Sequence, residues 1–410
     1  MPCSHVASSR TAVLPSLPIV TMGEHENLTW VVNFLRTPLA GLFQHPVRIT
    51  SVALILLALA SGRAAAAESP SSTERSVFVA ERIAREYMER KHVSGVALAV
   101  SLDGRSFVRG LGTRGHGTEA AVDANTSFVI GSVTKVFTSV LLTLQVNAGE
   151  MSLGDRVVRF LPEVVGNRGH TIRRVTLGEL ATFTAGLPRD PPREFQRDPA
   201  DVLRFLTRWR GSRDRPIGSW LYSNLSYGAI GYALQHQAGR RLGVRRYSEL
   251  LRERLLAPLG MERTQMPMPL GMQNRAIGYR GEEAIERPWH NAWYAAGSLS
   301  STASDMRRFL EAAMQLQGTP PRIAAAMRLA QRVRVRPPGK PFGQALAWVR
   351  REPRGIPVIS KEGGVPGFTA CVAWSPPSRT GIALLANQSN SNACLPAVAI
   401  LLHLVSTRSQ

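Results

Sequence analysis

The chain has 410 residues with 44% hydrophobic and 19% charged side chains, the balance of a folded globular protein of one large or two modest domains. Its formal net charge of +21 invites a nucleic-acid or anionic-surface reading, but the basic residues, nearly all arginine, are spread in ones and twos such as Arg173-Arg174 and Arg350-Arg351. With no basic block interleaved with aromatics and no zinc spacing, a solvated basic surface is expected and a nucleic-acid partner excluded; neither metal nor cofactor is expected, because no histidine or cysteine has metal-ligand spacing.

Near the N-terminus Arg48 precedes the apolar run VALILLALA (Val52 to Ala60), and the small-residue string Ala64 to Ala67 follows it. Nine apolar residues fall short of the about 20 that a membrane helix needs. The pattern predicts a signal peptide cut after Ala65-x-Ala67, so that residues 1–67 form a leader and N-terminal extension, with Met22 as an alternative start and a retained anchor as the alternative outcome. A periplasmic or secreted protein is expected, without a stable membrane span and monomeric. Cys3 would leave with the leader; Cys371 and Cys394 either form one disulfide or stay as separate core thiols.

Next along the chain, SVFVAERIAREYMERK has helical spacing of apolar residues and ends before a hairpin, GVALAVSLDGRSFVRGLG, whose turn is Asp103-Gly104. From Ser132 to about Arg336 the pattern is mainly helical, broken at Gly and Pro clusters. Strand signals return in QALAWVRR, GIPVIS, FTACVAW and TGIALLA, and a final helix, LPAVAILLHLV, closes the chain. The expected class is α/β (α+β): one sheet built from both chain ends, flanked by helices, beside a mainly helical domain. The sheet part is placed at about 75–130 and 340–408 and the helical part at about 131–339, within a single region of 75–408.

In GSVTKVFTS, Lys135 is one of only four lysines among fifty basic residues. Arginine cannot lose its proton in a protein, whereas a buried lysine beside other cations can. Ser132 lies three positions earlier, so a helix starting near Ser132 puts both side chains on one face and the hydroxyl at the positive end of the helix dipole. A serine activated by a lysine is one form of nucleophilic catalysis. No Gly-x-Ser-x-Gly elbow occurs, and His170, His236, His290 and His403 sit in no triad context and read as structural or surface residues.

Two further stretches extend this chemistry. Tyr222-Ser223-Asn224 follows a loop with Pro216 and Gly218 and precedes a helix; beside an ammonium a phenol is expected to have a lowered pKa and shuttle a proton, and Asn224 to donate to a substrate carbonyl. ISKEGGVPGF carries Lys361 into a strand through Gly363 and Gly364, where a substrate can lie against the edge and a backbone N–H can form half of an oxyanion hole.

The order Ser132-x-x-Lys135, Tyr222-Ser223-Asn224 and Lys361-Glu362-Gly363 resembles the three motifs of the penicillin-recognising serine hydrolases, in the class C β-lactamase branch. VTLGELATFTAGLPRDPP, RLLAPLGMERT, AAGSLSSTASDMRRFL and TGIALLANQ match as well, and LATFTAGLPRDPP and YSNLSYGAIGYAL look at least as much like the periplasmic DD-carboxypeptidase/endopeptidase relatives. The resemblance implies a β-lactamase/transpeptidase-like fold with a cleft between sheet and helical parts. It implies Ser132 as the acylated nucleophile, Lys135 as its partner, Tyr222 as general base and acid, Asn224 as the orienter of the substrate amide, Lys361 near Tyr222 and the substrate carboxylate, and the N–H groups of Ser132 and Gly364 as the oxyanion hole. It also implies a small-molecule or peptidoglycan stem-peptide substrate. No Glu-x-x-Leu-Asn loop is present, against the class A deacylation scheme.

One departure stands out: the family has Thr or Ser where Glu362 stands, and an anion there is expected to repel a substrate carboxylate and slow turnover of classical β-lactams. A class C-like β-lactamase is the leading expectation, with a DD-peptidase, a small-ester esterase or a non-hydrolysing penicillin sensor as alternatives.

Overall fold

The computed structural model describes residues 71–161, 171–269, 271–285 and 292–408. The expected leader, Cys3, His170 and His290 lie outside them.

The first helix among the described residues, α1 (Ser72–Lys91), begins earlier than its apolar spacing suggests because Ser71 and Glu74 form a capping box, each side chain bonding the other's backbone N–H. The hairpin follows as β1 (Gly95–Leu102) and β2 (Arg105–Gly112). Asp103 and Gly104 both have positive φ, at 51° and 94°, which is what a two-residue turn matching the strand twist requires.

The chain's other end adds β3 (Gly343–Gln344), β4 (Val349–Arg351), β5 (Val358–Val365), β6 (Phe368–Ser375) and β7 (Thr380–Ala386). The result is one seven-stranded antiparallel sheet of order β2-β1-β7-β6-β5-β4-β3, so strands from both ends of the sequence meet at the β1/β7 pair. The stretch QALAWVRR is not one strand. Ala347 takes φ 64°, Leu346 and Ala347 donate backbone bonds to Ala330 and Ala181, and Trp348 is fully buried, stacked on Phe309. Packing against the helices folds those residues into a turn between β3 and β4.

Between the two strand groups come α2 (Thr134–Asn147), α3 (Leu177–Ala181), α4 (Pro199–Arg208), α5 (Asn224–Gln237), α6 (Val244–Leu251), α7 (Ala303–Ala313) and α8 (Pro321–Gln331); α9 (Cys394–Arg408) closes the described chain. Helices α1 and α9 cover one face of the sheet, while α7 packs on β1 and β7 from the other. Strands β1, β6 and β7 are buried along their whole length, which explains their unbroken apolar sequence. Helix α2 is buried from Thr134 through Gln145, and its Phe137 stacks on Phe309 with ring centroids 3.9 Å apart. Burying such a ring contributes about 1.5–3 kcal/mol, so α2 is held by packing all round.

Cys371 of β6 and Cys394 at the start of α9 form a disulfide. It spans 23 residues of sequence. Replacing both cysteines by alanine is therefore expected to lower the unfolding free energy by about 3 kcal/mol, through release of the cross-linked loop in the unfolded chain. Denaturant titration of the double variant checks this; an unchanged midpoint would rule it out.

Candidate active site

Ser132 lies in a single 3-10 turn (Gly131–Val133) that runs straight into α2. The turn is pressed against β5. A β-carbon on Gly363 would stand 2.1 Å from the Ile130 carbonyl oxygen, and one on Gly131, whose φ is 50°, would stand 2.8 Å from the Gly364 nitrogen. Only glycine permits this approach. It is the physical reason for the glycine-rich entry after Lys361, and it brings the Gly364 backbone nitrogen against the segment that carries Ser132. The β4/β5 ladder ends at Ser360, so the edge of β5 from Lys361 onward is left open by β4.

Lys135 has no exposed surface. Its Nζ lies 2.9 Å from Ser132 Oγ, 2.7 Å from Asn224 Oδ1 and 2.7 Å from the Ala296 carbonyl oxygen. Burial, then the Lys361 cation and more weakly Arg189, hold the amine well below its ordinary pKa, with Asp190 opposing them. Nζ donates to the Ser132 hydroxyl oxygen as well as to the Asn224 and Ala296 oxygens, so three acceptors meet at the one nitrogen. Ala296 is held in place because Thr138, one turn further along α2, donates to the Ala295 carbonyl and Leu299 N–H bonds Thr134 Oγ1.

On the other side of the serine, Tyr222 donates from its hydroxyl to Ser132 Oγ at 2.7 Å. The structure differs here from the expected lowered phenol pKa. Burial pushes Tyr222 well above the usual tyrosine range, outweighing the serine bond and Arg189, so at neutral pH it is a proton donor. Lys361 Nζ and Lys135 Nζ each lie 5.0 Å from the Tyr222 ring centroid. Asn224 opens α5, with Ser223 as its cap. The expected residues Ser132, Lys135, Tyr222, Asn224, Lys361, Gly363 and Gly364 thus converge, while among the described residues Ser132 Oγ has no histidine partner.

Glu362 is exposed. It pairs across the ladder with Cys371, whose side chain reaches α9, so Glu362 projects to the α1/α9 face while Lys361, paired with the core residue Val372, projects into the site. The carboxylate is turned away from the cleft face, and among the described residues it has no hydrogen bond or ion pair.

Three groups that motif reading missed belong to the same site: the Ala296 carbonyl, and Asp190 and Arg189. Asp190 Oδ1 accepts from Asn224 Nδ2 at 2.9 Å, which fixes the amide with its oxygen toward Lys135. Arg189 lies with its guanidinium carbon 5.7 Å from the Tyr222 ring centroid. The stretch GLPRDPP was visible, but nothing in its spacing ties it to a helix more than 30 residues on; that contact belongs to the tertiary fold.

A protein-family model described as Beta-lactamase matches residues 80–406. The beta-lactamase of Lysobacter lactamgenus is 27% identical over 353 residues, covering 75% of this chain and 86% of its own. A solved structure described as a class C beta-lactamase superposes with TM-score 0.73 at 22% identity, covering 82% of this chain and 96% of that one. The D-alanine carboxypeptidase AmpC from Burkholderia cenocepacia does so with TM-score 0.71 at 25% identity, over 82% and 99%.

Proposed function

Because the chain belongs to the beta-lactamase family of serine hydrolases, we propose that it is an exported enzyme in which a β-lactam or a D-Ala-D-Ala type amide acylates Ser132 and water then releases the acyl group. The carrying observation is the buried Lys135 amine 2.9 Å from Ser132 Oγ, with two carbonyl acceptors for its N–H groups. In this reading the Lys135 lone pair takes the hydroxyl proton as Oγ attacks the substrate carbonyl, and the N–H groups of Ser132 and Gly364 receive the oxyanion. Tyr222, donating to the same Oγ, hands its proton to the departing nitrogen as the amide C–N bond breaks; the Lys135 ammonium beside it restores that proton. Asn224 orients the substrate amide.

The D-alanine carboxypeptidase match keeps the DD-peptidase reading beside the β-lactamase one. Incubation with benzylpenicillin, followed by intact mass and drug hydrolysis, separates them. A transient adduct with rapid drug loss supports a β-lactamase, whereas a long-lived adduct together with D-Ala release from stem peptides supports a DD-peptidase. No adduct at all sinks the acyl-enzyme reading for both.

Lys361 carries a pH prediction. Burial, above the effects of Arg351 and Arg189, lowers its pKa from 10.5 to about 8, with Glu362 opposing the fall. The cation that holds a substrate carboxylate is therefore full below its pKa and lost as pH rises through about 8. KM for benzylpenicillin is expected to climb across that window. Glu362→Gln removes the opposing anion, so the climb is expected to begin at lower pH; a KM flat from neutral pH into the alkaline range would refute the assignment.

A further inference from the structure

The loop before α5 brings a cation to the site that the proposed chemistry does not use. The Arg189 carbonyl accepts the backbone N–H groups of Asn224 at 2.7 Å and Leu225 at 3.2 Å, so this residue is fixed to the helix that presents Asn224. Its side chain is 71% exposed, yet its guanidinium stands 5.7 Å from the ring centroid of the tyrosine that bonds Ser132. Nε is turned to Asp190 Oδ2 at 3.6 Å, and Asp190 Oδ1 is already committed to Asn224. The two terminal nitrogens of the guanidinium have no ion-pair partner among the described residues and form a fork suited to a carboxylate.

Two cations from separate elements therefore flank Tyr222: Lys361 on β5, just beyond the end of its pairing with β4, and Arg189 beside Asn224. A substrate whose leaving-group carboxylate lies at Lys361 carries its acyl side past Ser132 toward Asn224 and so toward Arg189. We propose that Arg189 is a specificity residue selecting substrates that bear a second carboxylate, on the acyl side of the scissile bond. This rests on the reading of Ser132 as the acylated nucleophile. Asp190 turns the guanidinium so that its outer fork, rather than Nε, meets that group.

Benzylpenicillin and carbenicillin test it, because they differ only by a carboxylate on the acyl side chain. Acylation rate constants are measured by intact mass for the full chain, for Arg189→Gln and for Arg193→Gln, an exposed arginine of the same loop that removes the same charge. The wild type is expected to favour carbenicillin, and Arg189→Gln to lower the carbenicillin to benzylpenicillin ratio about tenfold, the value of one charge-assisted contact. Arg193→Gln is expected to leave the ratio unchanged. Adducts with both drugs but an unchanged ratio in Arg189→Gln, or an equal fall in Arg193→Gln, overturn the proposal and leave the acyl-enzyme reading intact. No adduct with either drug overturns both.

Discussion

Replacing Lys135 by arginine is expected to slow acylation of Ser132 about a thousandfold, although arginine is the other long basic side chain. The site encloses the amine completely and brings three oxygen acceptors to its single nitrogen, a geometry that the broad planar guanidinium does not match. Arginine cannot give up its proton at any pH at which the protein is folded, so no alkaline recovery of the rate is expected. Lys135→Met, of similar volume and without the amine, is expected to show the same loss and to guard against misfolding as the explanation. Burst-phase intact mass with benzylpenicillin gives the rate; arginine within tenfold of wild type would remove Lys135 as the proton acceptor.

Ser132→Ala is expected to abolish the covalent adduct and lower turnover by at least about 10⁴-fold, leaving only what binding and the backbone donors supply. The change deletes one oxygen from a half-buried position, so the fold is expected to persist. Lys135 Nζ and Tyr222 Oη, which both meet that oxygen, would remain in place without a nucleophile between them. An adduct that survives on another residue, or hydrolysis at the wild-type rate, would move the chemistry away from this serine.

The hairpin at Asp103-Gly104 and the buried strands β6 and β7 were legible because each depends on local facts: a dipeptide that accepts positive φ, or an unbroken apolar run. The start of α1 was misplaced because apolar spacing ignored the capping box, which is itself a sequence signal. QALAWVRR was misread because its turn is imposed by Phe309, Ala330 and Ala181, residues distant in the chain.

For the site, the scarcity of lysine raised Ser132 and Lys135, and the resemblance of three short stretches, in order, to the family's motifs named Tyr222, Asn224, Lys361, Gly363 and Gly364 with them, because chemistry restricts residue type at each position. What only the tertiary structure decided is how those groups are charged and aimed. Burial sets Lys135 low, in the direction its setting suggested, and Tyr222 high, reversing the lowered phenol pKa that a neighbouring ammonium suggested. Strand alternation turns Glu362 away from the face that holds Lys361. The Ala296 carbonyl, Asp190 and Arg189 entered the site through backbone geometry that carries no motif. Residue identity is a local property, whereas dielectric surroundings and direction arise from every element packed against the residue, and those exist only once the chain has folded.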